Sequence, residues 1–168
     1  EAVRWFRRAA KQGHAASQLN LGVMYVDGTG VAQNDASAVR WFRRAADQGN
    51  AGAQHNLGLM YATGRGGVPQ DDAEAVRWYH LAAKQGNALA QYNLGAMYAK
   101  GEGVQQDDTE AERWYRAAAK QGDARAQYNL GARLLLGAMC ANGIGVSQDY
   151  AEATHWLGRA ADQENADA

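Results

Sequence analysis

The stretch N-A-L-A-Q-Y-N-L-G-A-M-Y-A-K-G-E-G-V-Q-Q-D-D-T-E-A-E-R-W-Y-R-A-A-A-K-Q-G, from Asn87 to Gly122, decides the fold because the chain writes it more than once. The segments 14–49 and 50–86 superpose on it almost letter for letter, and 123–164 is a fourth, longer copy. Residues 1–13 carry only the second half of a unit, R-W-F-R-R-A-A-K-Q-G, and 165–168 form a short tail. Trp5, Trp41, Trp78, Trp114 and Trp156 mark the period, at intervals of 36, 37, 36 and 42 residues. Such a period belongs to stacked supersecondary units.

Within a unit, Ala51 to Thr63 has helical periodicity and stops at Gly64, where G-R-G-G-V-P supplies turn residues. A second helix then begins. Asp71 with Glu74, Asp107 with Glu110, and Asp149 with Glu152 have capping-box spacing, in which the first side chain satisfies free amides and the second bonds back. Lys84 and Lys120 lie near the negative end of that helix. The unit is therefore helix, glycine loop, helix, tight turn, and the fold class is all-α. Helices of about a dozen residues are marginal alone in water, so each must bury its apolar stripe against its neighbours, as in a solenoid of helix pairs. Gly22, Gly58 and Gly95 fall mid-helix, where glycine costs about 1 kcal/mol relative to alanine. Their recurrence predicts a backbone contact with the paired helix that offsets the cost.

Composition narrows the function. In 168 residues, 17 basic side chains face 18 acidic ones for a net charge of −1, so no excess charge recruits nucleic acid or an anionic membrane. No apolar run approaches the roughly 20 residues that span a bilayer, and Glu1 opens neither a basic end nor a signal-like apolar stretch. One cysteine, Cys140, makes neither an internal disulfide framework nor a cysteine-built zinc site; it leaves the compartment open.

The pattern A-x-A-Q-x-N-L-G-x-M-Y-x-x-G-x-G-V, then D-x-x-x-A-x-x-W and A-A-x-Q-G, closely resembles the Sel-1-like repeat family across nearly the whole chain. The third unit carries it at Ala88, Ala90, Gln91, Leu94, Gly95, Met97, Tyr98, Gly101, Gly103, Val104, Asp107, Ala111, Trp114, Ala118, Ala119 and Gly122. The resemblance implies a right-handed α-α superhelix of antiparallel helix pairs, related to tetratricopeptide repeats, that serves as an adaptor or scaffold for protein complexes. Two departures stand out. The cysteine-rich, secreted branch of the family places a disulfide in each repeat, which a single cysteine forbids, so enzymatic activities attached to that branch gain no support. In the fourth unit, R-L-L-L-G-A-M-C replaces M-Y and the loop, adding about six residues. That insertion predicts a first helix lengthened or kinked between Leu130 and Ala138, with the regular superhelix disturbed at its last step.

Comparing the copies separates a fixed side from a changing one. Ala15, Gln18, Leu21, Gly22 and Tyr25 recur identically in the next two units and share one side of the helix. Opposite them lie Ala16, Leu19, Val23 and Asp27 in the first unit, Gly52, His55, Leu59 and Thr63 in the second, and Leu89, Tyr92, Ala96 and Lys100 in the third. Tyr128 continues the series in the fourth. Packing demands repetition and solvent tolerates variety, yet solvent alone does not favour Leu19, Leu59, Leu89 and Tyr92. In the superhelices that the resemblance implies, first helices line the concave surface, which puts this stripe in a recognition groove; gap-filling between repeats is the plainer alternative. Asn20, Asn56, Asn93 and Asn129 are fixed in every unit and border the stripe. Asparagine is a poor residue for a helix interior, so it serves either to bond an extended peptide or to tie one repeat to the next.

Catalytic chemistry is not written here. His14, His55, His80 and His155 occupy different repeat positions without ligand spacing. Cys140 aligns with Tyr25, Tyr61 and Tyr98 as a core residue, and the glycine loops lack the flanking strand and G-K-S/T of a phosphate loop. The arginines around the tryptophans, Arg4, Arg7, Arg8, Arg40, Arg43 and Arg44, read as a solvated outer face, as the acid-paired copies at Glu74–Arg77 and Glu112–Arg116 indicate. These observations predict a non-enzymatic adaptor with no metal and no cofactor, binding a protein or peptide through the groove at Leu19, His55, Leu59, Tyr92, Lys100, Tyr128 and the four asparagines. The competing expectation is a structural array that associates end to end through uncovered terminal repeats.

Overall fold

The computed structural model describes residues 2–140 and 146–166, with side chains over 3–135 and 150–163. Among the described residues every regular element is an α-helix. α1 (Ala2–Lys11) is followed by four pairs: α2 (Ala15–Asp27) with α3 (Asp35–Asp47), α4 (Ala51–Thr63) with α5 (Asp72–Lys84), α6 (Ala88–Lys100) with α7 (Asp108–Lys120), and α8 (Ala124–Cys140) with α9 (Val146–Ala166). Each helix packs on the one before and the one after, so the core runs along the array instead of gathering at a centre.

Local chemistry sets the helix starts. Asn50 and Asn87 accept from the amides of Ala53 and Ala90 at 2.9 Å, and Asn34 accepts from Ser37 at 2.8 Å. Asp71 accepts from Glu74, and Asp107 from Thr109 and Glu110. Each such cap contributes about 1 kcal/mol. The expected capping boxes are only half made, because Glu74 and Glu110 turn to Arg77 and Arg113 at 3.2 and 3.1 Å instead of back to the cap. A guanidinium one turn along the same face competes for the carboxylate as a charged donor. The first helices of the second and third pairs stop at Gly64 and Gly101, whose left-handed backbone at φ 65° and 72° turns the chain out of the helix.

The mid-helix glycines are seats for rings. A methyl on Gly22 would lie 2.5 Å from the Phe42 ring, on Gly58 2.8 Å from Tyr79, and on Gly95 2.9 Å from Tyr115. The expected backbone approach is present too, with the carbonyls of Ala75 and Ala111 at 3.3 and 3.2 Å from those methyl positions on Gly58 and Gly95. Leu21, Leu57, Leu94 and Leu130 are fully buried beside these contacts, each side chain stabilising the array by about 1.5–3 kcal/mol. Phe42, Tyr79 and Tyr115, which follow Trp41, Trp78 and Trp114, are thus buried in the core, while Trp5 is 67% exposed.

A polar ladder runs through this apolar interior. Gln18, Gln54, Gln91 and Gln127 are buried, and each donates to a carbonyl of the preceding second helix: Ala10, Ala46, Ala83 and Ala119, at 3.0 to 3.2 Å. Their own carbonyls accept from Gln48, Gln85 and Gln121, each at 2.7 Å, in the first three pairs. Each of the first three rungs therefore joins three successive helices, and it satisfies amides whose burial would otherwise be costly.

The fourth pair departs from this regularity. α8 has 17 residues where α2, α4 and α6 have 13, so the insertion lengthens the helix by about 6 Å. α9 begins at Val146, three residues before Asp149, so the start expected at Asp149 with Glu152 does not hold; the longer α8 gives an added turn of α9 a helix to face. The ladder also breaks here, since the buried Oε1 of Gln127 has no hydrogen-bond partner among the described residues. The side chain of Cys140 lies outside the described residues.

Candidate partner-binding surface

The changing stripe of the first helices is open to solvent in part. Leu59 is 38% exposed, Leu89 48% and Tyr128 58%, whereas Leu19, His55 and Tyr92 are half-buried. Lys100 is exposed at the end of α6 and pairs with Glu102 at 3.6 Å. The asparagine positions run from exposed Asn20 to half-buried Asn56, Asn93 and Asn129.

Between repeats, the stripe and the asparagines meet. The amide of Asn93 lies 3.2 Å from Nε2 of His55, and that of Asn129 donates to the Tyr92 hydroxyl at 3.4 Å. A fixed asparagine thus reaches back to the changing residue of the preceding unit. His55 stands beside Tyr79, ring centroids 5.9 Å apart, and Tyr92 beside Tyr115 at 5.7 Å. Burial holds the His55 imidazole below its ordinary value, with the Asn56 amide acting against it and the Arg125 charge with it. Burial also pushes the Tyr79 and Tyr115 phenols up to about 12.

At the end of the series these residues line a cleft of about 300 Å³, bounded by Tyr92, Ala124, Arg125, Tyr128 and Asn129. The cleft brings together three of the sequence-predicted residues, Tyr92, Tyr128 and Asn129, and leaves Leu19, Leu59 and Lys100 on other parts of the stripe. Arg125 had not been singled out. Its guanidinium lies over the Tyr92 ring at 4.2 Å and is held by Asp123 at 2.8 Å. The signal for it was available, because Arg125 occupies the changing position of Ala16, Gly52 and Leu89.

The surface offers aromatic faces, side-chain amides and one tethered guanidinium, the means of recognising a polypeptide. Among the described residues, no three His, Cys, Asp or Glu side chains converge as metal ligands would. None of the described helices is long and apolar enough to cross a membrane.

Comparison with known proteins places the architecture. The chain is 38% identical to a Sel1 repeat protein from Oxalobacter formigenes over 96% of its own length and 63% of that protein's, with a TM-score of 0.84. It is 36% identical to a protective antigen of uropathogenic Escherichia coli displaying an SLR fold, over 98% of this chain and 34% of the antigen, again with a TM-score of 0.84. The chain therefore spans less than two thirds of either relative. Cysteine rich protein B of Helicobacter pylori shares the fold at 20% identity, with a TM-score of 0.59 over 74% of this chain and 89% of that one. A search of curated proteins returned no match. The right-handed α-α superhelix implied by the sequence resemblance is the fold. The Sel1 repeat profile matches residues 1–14, 15–50, 51–87, 88–123 and 124–165 in succession; with that succession and these superpositions in hand, the chain is a member of the Sel1 repeat family.

Proposed function

We propose that this protein is a non-enzymatic scaffold that binds a peptide or partner domain along the face of α2, α4, α6 and α8. Sel1 repeats are generally protein–protein interaction modules. The observation that carries the partner face is the cleft between α6 and α8, where Tyr128 is 58% exposed at a position that changes from unit to unit. An exposed aromatic beside Arg125 and the Asn129 amide supplies the anchor types on which interfaces concentrate their energy. A pull-down compares the intact chain with one carrying Leu59→Glu and Tyr128→Glu, both at exposed sites that leave the core intact. Loss of a retained protein supports this face, and a partner held equally by both forms overturns it.

A second reading, association of copies through terminal repeats, is favoured by Trp5 alone, 67% exposed on α1. Light scattering across a concentration series tests it. A strict monomer removes it.

A further inference from the structure

The same outer-face position is built in two ways within this molecule. In α5 and α7 the arginine before the tryptophan is neutralised by a glutamate one turn earlier, Arg77 by Glu74 and Arg113 by Glu110. Arg116, two residues after Trp114, sits between Glu112 and Glu152. In α3 the glutamate position is Ser37, and among the described residues Arg40 has only its hydroxyl at 3.5 Å and the Ala36 carbonyl at 3.3 Å. Arg44 stands where α5 has Leu81 and α7 has Ala117, its guanidinium laid over the Trp41 ring at 4.8 Å. Arg43 donates to the Tyr61 hydroxyl of the next pair.

The carboxylates nearest in sequence do not close this patch. Asp35 is taken by Arg65 at 3.0 Å, and Asp47 forms an ion pair with none of the three arginines. Ser37, Arg40, Trp41 and Arg44 surround a cleft of about 240 Å³. Its counterpart on α7, about 470 Å³, is lined by Glu112 as well as Arg113, Arg116 and Lys120. The geometry points to the α3 face as a second docking surface, one that takes a short acidic segment of a partner protein through Arg40 and Arg44 against Trp41.

Charge and extent select that occupant over a polyanion. Guanidiniums without carboxylates bind carboxylates through paired, charge-assisted hydrogen bonds, and the Trp41 ring holds Arg44 in place for that contact. The patch covers α1 and α3, where Arg4, Arg7 and Arg8 stand at the positions of Arg40, Arg43 and Arg44, and it ends at α5. A nucleic acid strand, with a phosphate every few ångströms, would run on to α5 and α7, where Glu74, Glu110 and Glu112 already occupy the arginines.

The test uses the whole chain and a labelled poly-glutamate peptide, with fluorescence anisotropy at low and at physiological ionic strength. Saturable binding that weakens with salt is expected. Ser37→Glu, which copies α5 and α7 and keeps the fold, is expected to weaken it about tenfold by supplying Arg40 with an internal partner, and Arg44→Leu, which copies α5, to weaken it as well. Conversely, Glu74→Ser with Leu81→Arg is expected to create a second equivalent site on α5. Absence of saturable binding at low salt, or binding indifferent to Ser37→Glu, overturns the proposal. So does tighter binding of single-stranded DNA or anionic vesicles that Ser37→Glu abolishes, because the surface would then serve a different class of partner.

Discussion

The side-chain carbonyl of Gln54 accepts a hydrogen bond from the amide of Gln85 at 2.7 Å, although one residue is buried in a first helix and the other is exposed at the end of a second. Gln54 also donates to the Ala46 carbonyl at 3.2 Å, so its removal leaves a buried acceptor unmatched and a hole beside it. Gln54→Ala is expected to cost about 2–4 kcal/mol, and Gln85→Ala about 1 kcal/mol. Urea unfolding of both singles and the double variant checks this, since additivity would mean that the two amides do not interact.

Two glycines of α4 should respond in opposite directions to alanine. At Gly58 the added methyl would meet the Tyr79 ring at 2.8 Å and the Ala75 carbonyl at 3.3 Å, which predicts a loss of about 1–3 kcal/mol. At Gly52 it would meet only the flexible tip of Leu19 among other repeats, at 3.0 Å, so the gain in helix propensity of up to about 1 kcal/mol should prevail. Thermal melts of the two variants decide the matter; a Gly58→Ala protein as stable as the parent would refute the ring seat.

The half-buried imidazole of His55 makes acid a specific stress. Burial lowers its value from 6.5 in the folded chain, so the unfolded chain takes up the proton first and stability falls as pH drops below 6.5. His80, also lowered by burial, adds to the same slope. Replacing His55 with Gln, which keeps an amide in reach of Asn93, should flatten that loss. Denaturant midpoints measured on either side of pH 6.5 provide the check, and an unchanged slope would contradict it.

At the alkaline end the buried phenols act with the opposite sign. Tyr79 and Tyr115 are raised from 10.0 to about 12. The unfolded chain therefore releases these protons first, and the stability they hold below pH 10 is lost between 10 and about 12. Tyr79→Phe and Tyr115→Phe should each reduce the steepness of alkaline unfolding, followed by circular dichroism during a pH titration.

Much of this was legible because repetition repeats its reasons. The recurring Gly22, Gly58 and Gly95 announced close contacts, and the fourth-unit insertion announced a longer helix, which α8 is. The glutamine ladder was not legible as hydrogen bonding. Gln54 recurs with its apolar neighbours on the packing side, but its partners at Ala46 and Gln85 are fixed only when three helices are assembled. The capping boxes were half legible for a similar reason, since spacing shows that Glu74 can reach its cap but not that Arg77 competes for it. At the candidate site, the stripe came from comparing units, while the pairing of Asn93 with His55 and Asn129 with Tyr92 crosses from one unit to the next. Arg125 stands at a changing position in the one unit whose length also differs, and its contact with Tyr92 crosses from one unit to the next.

The ladder also bears on how such a chain can evolve. Gln18 with Gln48, Gln54 with Gln85, and Gln91 with Gln121 join the same two places in successive units. A gene segment encoding one unit can be duplicated or deleted in frame, and the seam on each side still finds a matching donor and acceptor. Residues at the positions of Leu19, His55, Tyr92 and Tyr128 take no part in that ladder, so its geometry sets no limit on their divergence after each duplication.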